Sequence, residues 1–201
     1  MSSTPLSILI VCGSNNEDSA TRVAVLEAGS RLQSGGCEVD GLDLHETQLP
    51  LLNPATYRNE SYLAPLRSRV LQADVFVLGT PDYHGGISGA MKNFLDHFWK
   101  EFAGKLFATI VASHEKGLTV HDQLRTVARQ CYAWTLPYGL SLKEDVDIKE
   151  GRIVGEAFAR RIEMFVHDIL TYGRLLADQR RADLTGEKPG FLARHRAPSR
   201  S

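Results

Sequence analysis

The sequence predicts a doubly wound α/β domain, in which a five-stranded parallel sheet carries helices on both faces. Three observations support that expectation. Nearly continuous aliphatic runs at residues 6–12, 75–79 and 106–112 are the signature of strands buried on both sides. The segments between them place apolar residues at helical spacing. Strand and helix then alternate five times, an order that implies right-handed parallel crossovers.

The first strand, 6–12, stops at Gly13. From Ser19 to Gln33 the apolar residues Val23, Val25, Leu26 and Leu32 mark a helix, which Gly35-Gly36 ends. Residues 39–44 resemble a second strand. Residues 49–54 are apolar but broken by Pro50 and Pro54, which makes them an ordered loop. Pro65 suits the first turn of a helix running to about Gln72, since proline has no N–H to lose there. After the third strand, 75–79, a polar, glycine-rich stretch leads into a helix from about Ser88 to Trp99. The fourth strand, 106–112, is followed by a helix over about 120–131 and a shorter strand near 134–140. Residues 155–176, with Ile162, Phe165, Val166, Ile169 and Leu170 on one face, form an amphipathic closing helix.

At 201 residues and 43% hydrophobic, the chain suits one substantial core. The expected domain covers 1–180, and 181–201, with scattered Gly, Pro, Arg and His, is expected as a mobile tail. Lys plus Arg number 23 against 24 Asp plus Glu, so no strong field draws the protein to nucleic acid or to an anionic membrane. Cys12, Cys37 and Cys131 are widely separated and read as reduced thiols. The histidines show no metal-ligand spacing, and no metal is expected. No Ser-His-Asp set or carboxylate pair points to a catalytic side chain. Without a basic leader or a long apolar run, the protein is expected in the cytoplasm.

In an open parallel sheet, ligands bind beyond the carboxyl ends of the strands, where neighbouring crossovers diverge. The first such loop, Gly13 to Arg22, is dense in hydroxyl and amide side chains and opens a helix, a natural seat for a phosphate. Ser14, Asn16, Ser19 and Thr21 supply neutral donors. The same residues also suit simple helix capping, and Glu17 and Asp18 repel a phosphate unless they face water. The turn has neither the triphosphate-loop pattern nor the Gly-x-Gly-x-x-Gly of a dinucleotide fold. The second loop begins Pro81-Asp82-Tyr83-His84-Gly85-Gly86; its glycines let the backbone approach a flat ligand, and Tyr83 and His84 can lie against it.

From Pro81 to Asp96 this second stretch reads Pro-Asp-Tyr-His-Gly-Gly-Ile-Ser-Gly-Ala-Met-Lys-Asn-Phe-Leu-Asp. It resembles the signature of the NADPH-dependent FMN reductase family, Pro-Glu-Tyr-Asn-Gly-Ser-Ile-Pro-Gly-Ala-Leu-Lys-Asn-x-Leu-Asp, over a chain match of about 6–175. The resemblance implies a flavodoxin-like fold that binds FMN. It implies that Ser14, Asn16, Ser19 and Thr21 hold the phosphate, that Pro81, Asp82, Tyr83, His84 and Gly85 line the isoalloxazine ring, and that Ser113 in the loop after the fourth strand meets the ring edge. Asn16 stands where the family often has arginine, with Arg22 as a substitute charge; His84 replaces an asparagine; and the 113–117 loop has a single glycine. Lys92 and Asn93 read as structural, the lysine paired with Asp96 and the amide satisfying a nearby turn.

The implied activity is electron transfer from NADPH or NADH through FMN to a small acceptor such as a flavin, quinone or azo compound. The implied assembly is a homodimer or homotetramer, for which Phe94, Phe98, Trp99 and Phe102 serve as either interface or core. An alternative is a flavodoxin-type carrier without nicotinamide turnover, although such carriers tend to be acidic and this chain is not. A more distant reading is a domain for another phosphorylated ligand, or a structural subunit.

Overall fold

The computed structural model describes residues 4–186 and Gly190. The strands are β1 (Ser7–Cys12), β2 (Glu38–Asp43), β3 (Val75–Tyr83), β4 (Gly86–Ile87), β5 (Leu106–Ala112), β6 (Trp134–Thr135), β7 (Leu140–Leu142), β8 (Ile148–Lys149) and β9 (Arg152–Ile153). The helices are α1 (Ala20–Ser34), α2 (Leu63–Gln72), α3 (Gly89–Asp96), α4 (Leu118–Gln130), α5 (Glu144–Asp147), α6 (Glu156–Asp168) and α7 (Arg174–Thr185).

The main sheet follows the order β2-β1-β3-β5-β6, the flavodoxin-like arrangement. It contains seven strands, not five. The expected last strand is split into β6 and β7, both parallel to β5, because Pro137 and Gly139 fall in its middle. The additional strand, β4, pairs antiparallel with the end of β3. Alternation along β1 sets the two cores: Ile8 and Ile10 face α1 and α6, while Leu9 and Val11 face α2, α3 and α4. The crossover from β1 to β2 therefore runs on one face and that from β2 to β3 on the other, which opens a crevice between the carboxyl ends of β1 and β3.

Phe94, Phe98 and Phe102 belong to the second core, in tilted and edge-on ring contacts with centroids 5.6–6.4 Å apart. Trp99 is exposed, and its indole N–H donates to the Gln130 carbonyl. The helix expected to reach Trp99 ends at Asp96, and a 3-10 turn follows at Lys100–Phe102. The closing helix is longer than expected: α6 passes through a wide π turn at Ile169–Gly173 into α7. Residue 180 thus falls inside a helix, and Arg180 and Arg181 both bind the buried Asp74 carboxylate just before β3. Most of the expected tail lies outside the described residues. The β8–β9 hairpin and α5 had no counterpart in the sequence expectation.

Candidate active site

The loop after β1 is built by local hydrogen bonds. Ser14, 2% exposed, accepts from the Asn16 amide, and the Asn16 side chain accepts from the Asp18 amide. Ser19 caps α1 by accepting from the Arg22 amide at 3.2 Å. The amides of Ala20 and Thr21, ahead of the first intrahelical bond, are left directed out of the helix end. Arg22 does not turn toward this seat. Its guanidinium pairs with Asp43 at 2.5 Å and donates to the carbonyls of Asn16 and Glu17, bracing the loop from outside. Burial works against the Asp43 charge, yet the hydrogen bonds from Arg22 and the His45 amide hold its carboxyl below the usual range.

The second loop is a β-hairpin. Tyr83 pairs with Gly86, and the two residues between them, His84 and Gly85, have φ of 57° and 77°. Two positive φ values in a two-residue connection define a type I′ turn, which favours Asn-Gly. The Asp82 carboxylate locks this turn. One oxygen accepts from the Gly85 amide at 2.8 Å, the other from the Ser113 hydroxyl at 2.8 Å, so the loops after β3 and β5 move together. Ser88 joins the hairpin to the first loop: it caps α3 and donates to the Gly13 carbonyl at 2.5 Å. Asn93 holds the 49–52 loop through Leu49, Pro50 and Leu52, and Lys92 pairs with Asp96, as their structural reading expected.

Ser14, Asn16, Ser19, Thr21, Pro81, Asp82, Tyr83 and Ser113 line one narrow cavity of about 170 Å³. Asp82, Ser113 and His114 also line a wider one of about 890 Å³, whose rim includes His84 and Gly85. The two share these three residues and so adjoin at the crevice as one groove-like region. Glu17 and Asp18 line an outer cleft of about 930 Å³ beside α1, which shares Ser19, Ala20 and Glu144 with the narrow cavity. The sequence reading missed Glu144 in the narrow cavity and Leu118, Thr119 and Lys143 in the wide one. Glu144 and Lys143 come from the segment after β7, and no local motif marks them.

A profile of NADPH-dependent FMN reductases matches residues 6–147. The chain belongs to that family. This FMN reductase family member is 29% identical over 178 residues to an FMN-dependent NADPH-azoreductase of Staphylococcus saprophyticus, covering 82% of this chain and 93% of the relative. Its fold is similar to a flavoenzyme NAD(P)H:(acceptor) oxidoreductase from Paracoccus denitrificans, with a TM-score of 0.70 at 18% identity over 85% of this chain and 98% of that one. It is also similar to a Streptococcus pneumoniae flavodoxin, with a TM-score of 0.58 at 16% identity over 83% of this chain and 99% of that one. The flavodoxin-like expectation therefore holds, and the family is one of FMN-dependent NAD(P)H oxidoreductases.

Proposed function

We propose that the groove seats FMN with its phosphate in the narrow cavity and its ring along the wide one, and that NADPH or NADH reduces it there for transfer to a small acceptor. The observation that carries this reading is that the two cavities share Asp82, Ser113 and His114 and gather residues from loops about 30 or more positions apart in the sequence. The narrow end suits a phosphate: two uncommitted helix amides and the hydroxyls of Ser14, Ser19 and Thr21 point to an anion, and the helix dipole favours it. Among the described residues no arginine lines this cavity, and Arg22 is committed to Asp43. The wide end suits a flat ring because the hairpin backbone carries no Cβ at Gly85 and Gly86.

FMN held by the loops after β1, β3 and β5 would supply the hydride-accepting and electron-releasing chemistry. The chain's own residues need only bind and orient. Asp82 and Ser113 hold the two loops in register, and Tyr83 offers an exposed ring at the mouth. The name of the staphylococcal relative makes an azo compound the first acceptor to try. We assign the protein to the cytoplasm, as a homo-oligomer; exposed Tyr83 and Leu118 at the groove mouth support a covering subunit, and light scattering of the flavin-loaded protein tests the assembly. No described helix is long and apolar enough to cross a membrane.

Anaerobic stopped-flow mixing of the flavin-loaded protein with NADPH tests the function. Bleaching of the flavin band within seconds is expected. A protein that binds FMN yet stays oxidised is a carrier, and one that gains no yellow colour with FMN has no flavin role.

A further inference from the structure

The 113–117 turn that walls the wide cavity is held from behind by a buried imidazole outside the groove. His121, in the first turn of α4, is 5% exposed and uses both ring nitrogens. Nδ1 lies 2.8 Å from the Thr109 hydroxyl on β5, and Nε2 lies 3.1 Å from the Ser141 hydroxyl on β7. Ser141 Oγ in turn lies 2.5 Å from the main-chain oxygen of Lys116. A carbonyl only accepts, so the Ser141 proton points to Lys116 and its oxygen must accept from His121 Nε2–H. Nδ1 is then the bare nitrogen and accepts from Thr109. The directions are thereby set: Thr109 to His121, His121 to Ser141, Ser141 to Lys116.

Burial, reinforced by Arg125 and Arg161 and opposed by Asp122, lowers the imidazole pKa to about 4, so the neutral ring that this chain of bonds requires is the resting form at neutral pH. Gly139 makes room for it, since a Cβ there would stand 2.3 Å from the ring. The turn itself is pinned at its ends by the backbone, Ser113 N–H to Leu142 O and His121 N–H to Gly117 O. The Lys116 carbonyl is where its middle is tied to the interior.

We propose that His121 is a positioning residue for the groove: through Ser141 it fixes the main chain of the 113–117 turn beside the place where ring and nicotinamide meet, and so sets the affinity for both. The inference rests on the flavin reading of the groove. Its test compares the full-length wild type with Ser141→Ala, His121→Leu and His121→Gln by FMN titration of the deflavinated protein, by KM and kcat for NADPH, and by 15N NMR of the ring. Loss of one hydrogen bond predicts roughly five-fold weaker FMN binding in Ser141→Ala. The loss should be larger in His121→Leu and partly recovered in His121→Gln, with the rise in KM exceeding any fall in kcat. The wild-type ring should show the Nε2–H tautomer. Variants that melt earlier but keep FMN affinity and KM within two-fold would reduce His121 to a core residue and overturn the proposal, as would an Nδ1–H tautomer in the wild type. Failure of the wild type to bind FMN would instead sink the flavin reading, and the tautomer would still report on the hydrogen-bond chain.

Discussion

At Tyr83-His84-Gly85-Gly86 the chain reverses in two residues, and the positive φ at both explains why a family signature carries Asn-Gly here. Histidine is among the residues that tolerate the left-handed region, though less readily than asparagine. His84→Asn should therefore leave FMN affinity within two-fold and raise stability by a few tenths of a kcal/mol, read by urea unfolding. A large loss of affinity would show that the imidazole itself contacts the ring. Gly85→Ala is strained at its φ of 77°, and it should cost about 1 kcal/mol and loosen FMN by titration. Glu144 places a carboxylate in the narrow cavity, so Glu144→Gln should tighten FMN about two-fold at low salt, with the gain fading as salt is added. His121 adds a pH dependence. Its folded pKa of about 4 lies below the ordinary 6.5, so between these values the unfolded chain binds the extra proton. Stability from this group is complete above the unfolded pKa and falls as pH drops toward 4, by an amount on the order of 3 kcal/mol. Urea midpoints measured from pH 7.5 to 4.5 should fall less steeply in His121→Gln than in the wild type.

Among the elements, the buried strands and the long helices were legible because each is a run of consecutive residues with one period. The hairpin was not. Its turn signal reads His-Gly instead of Asn-Gly, and Pro81 inside the run suggests a strand exit, whereas β3 continues through it to Tyr83. The loop after β1 was legible as a helix-opening turn from its small polar residues, but the commitment of Arg22 was not, because Asp43 lies on a different strand. The same holds for Lys143, Glu144 and Thr119, which reach the groove only through tertiary folding. Asp82 was expected as a ring contact from its place in the signature. Its two hydrogen bonds make it a latch between loops. Ser113→Ala releases one side of that latch, and it should weaken FMN binding several-fold by titration while moving Tm little, because Ser113 borders the groove and not the cores.

Across the whole molecule, the proposed binding groove and a buried ion-pair anchor lie at opposite ends of the sheet. The groove sits at the carboxyl ends of β1 and β3. At the amino ends, Asp74 gathers the Ser7 amide, Arg180 at 2.7 Å and Arg181 at 2.8 Å, tying the last helix to the first and third strands. Asp74 is 5% exposed, so removing its carboxylate leaves the mostly buried Arg180 guanidinium without its ion pair while Arg181 keeps Asp178, and breaking such a buried pair costs roughly 3 kcal/mol. For a domain of this size that corresponds to a fall of roughly 6–12 °C in Tm. FMN acts from the other end: at a concentration of 100 times Kd it should add about 2.7 kcal/mol, because it binds only the folded chain. Asp74→Ala should therefore melt early, keep the wild-type affinity for FMN, and gain as much from saturating FMN as the wild type does. Thermal melts with and without FMN, beside a titration of each protein, measure all three quantities. A weakened FMN affinity in Asp74→Ala would mean that the closing helix communicates with the groove through the sheet, and the two ends would then not be independent.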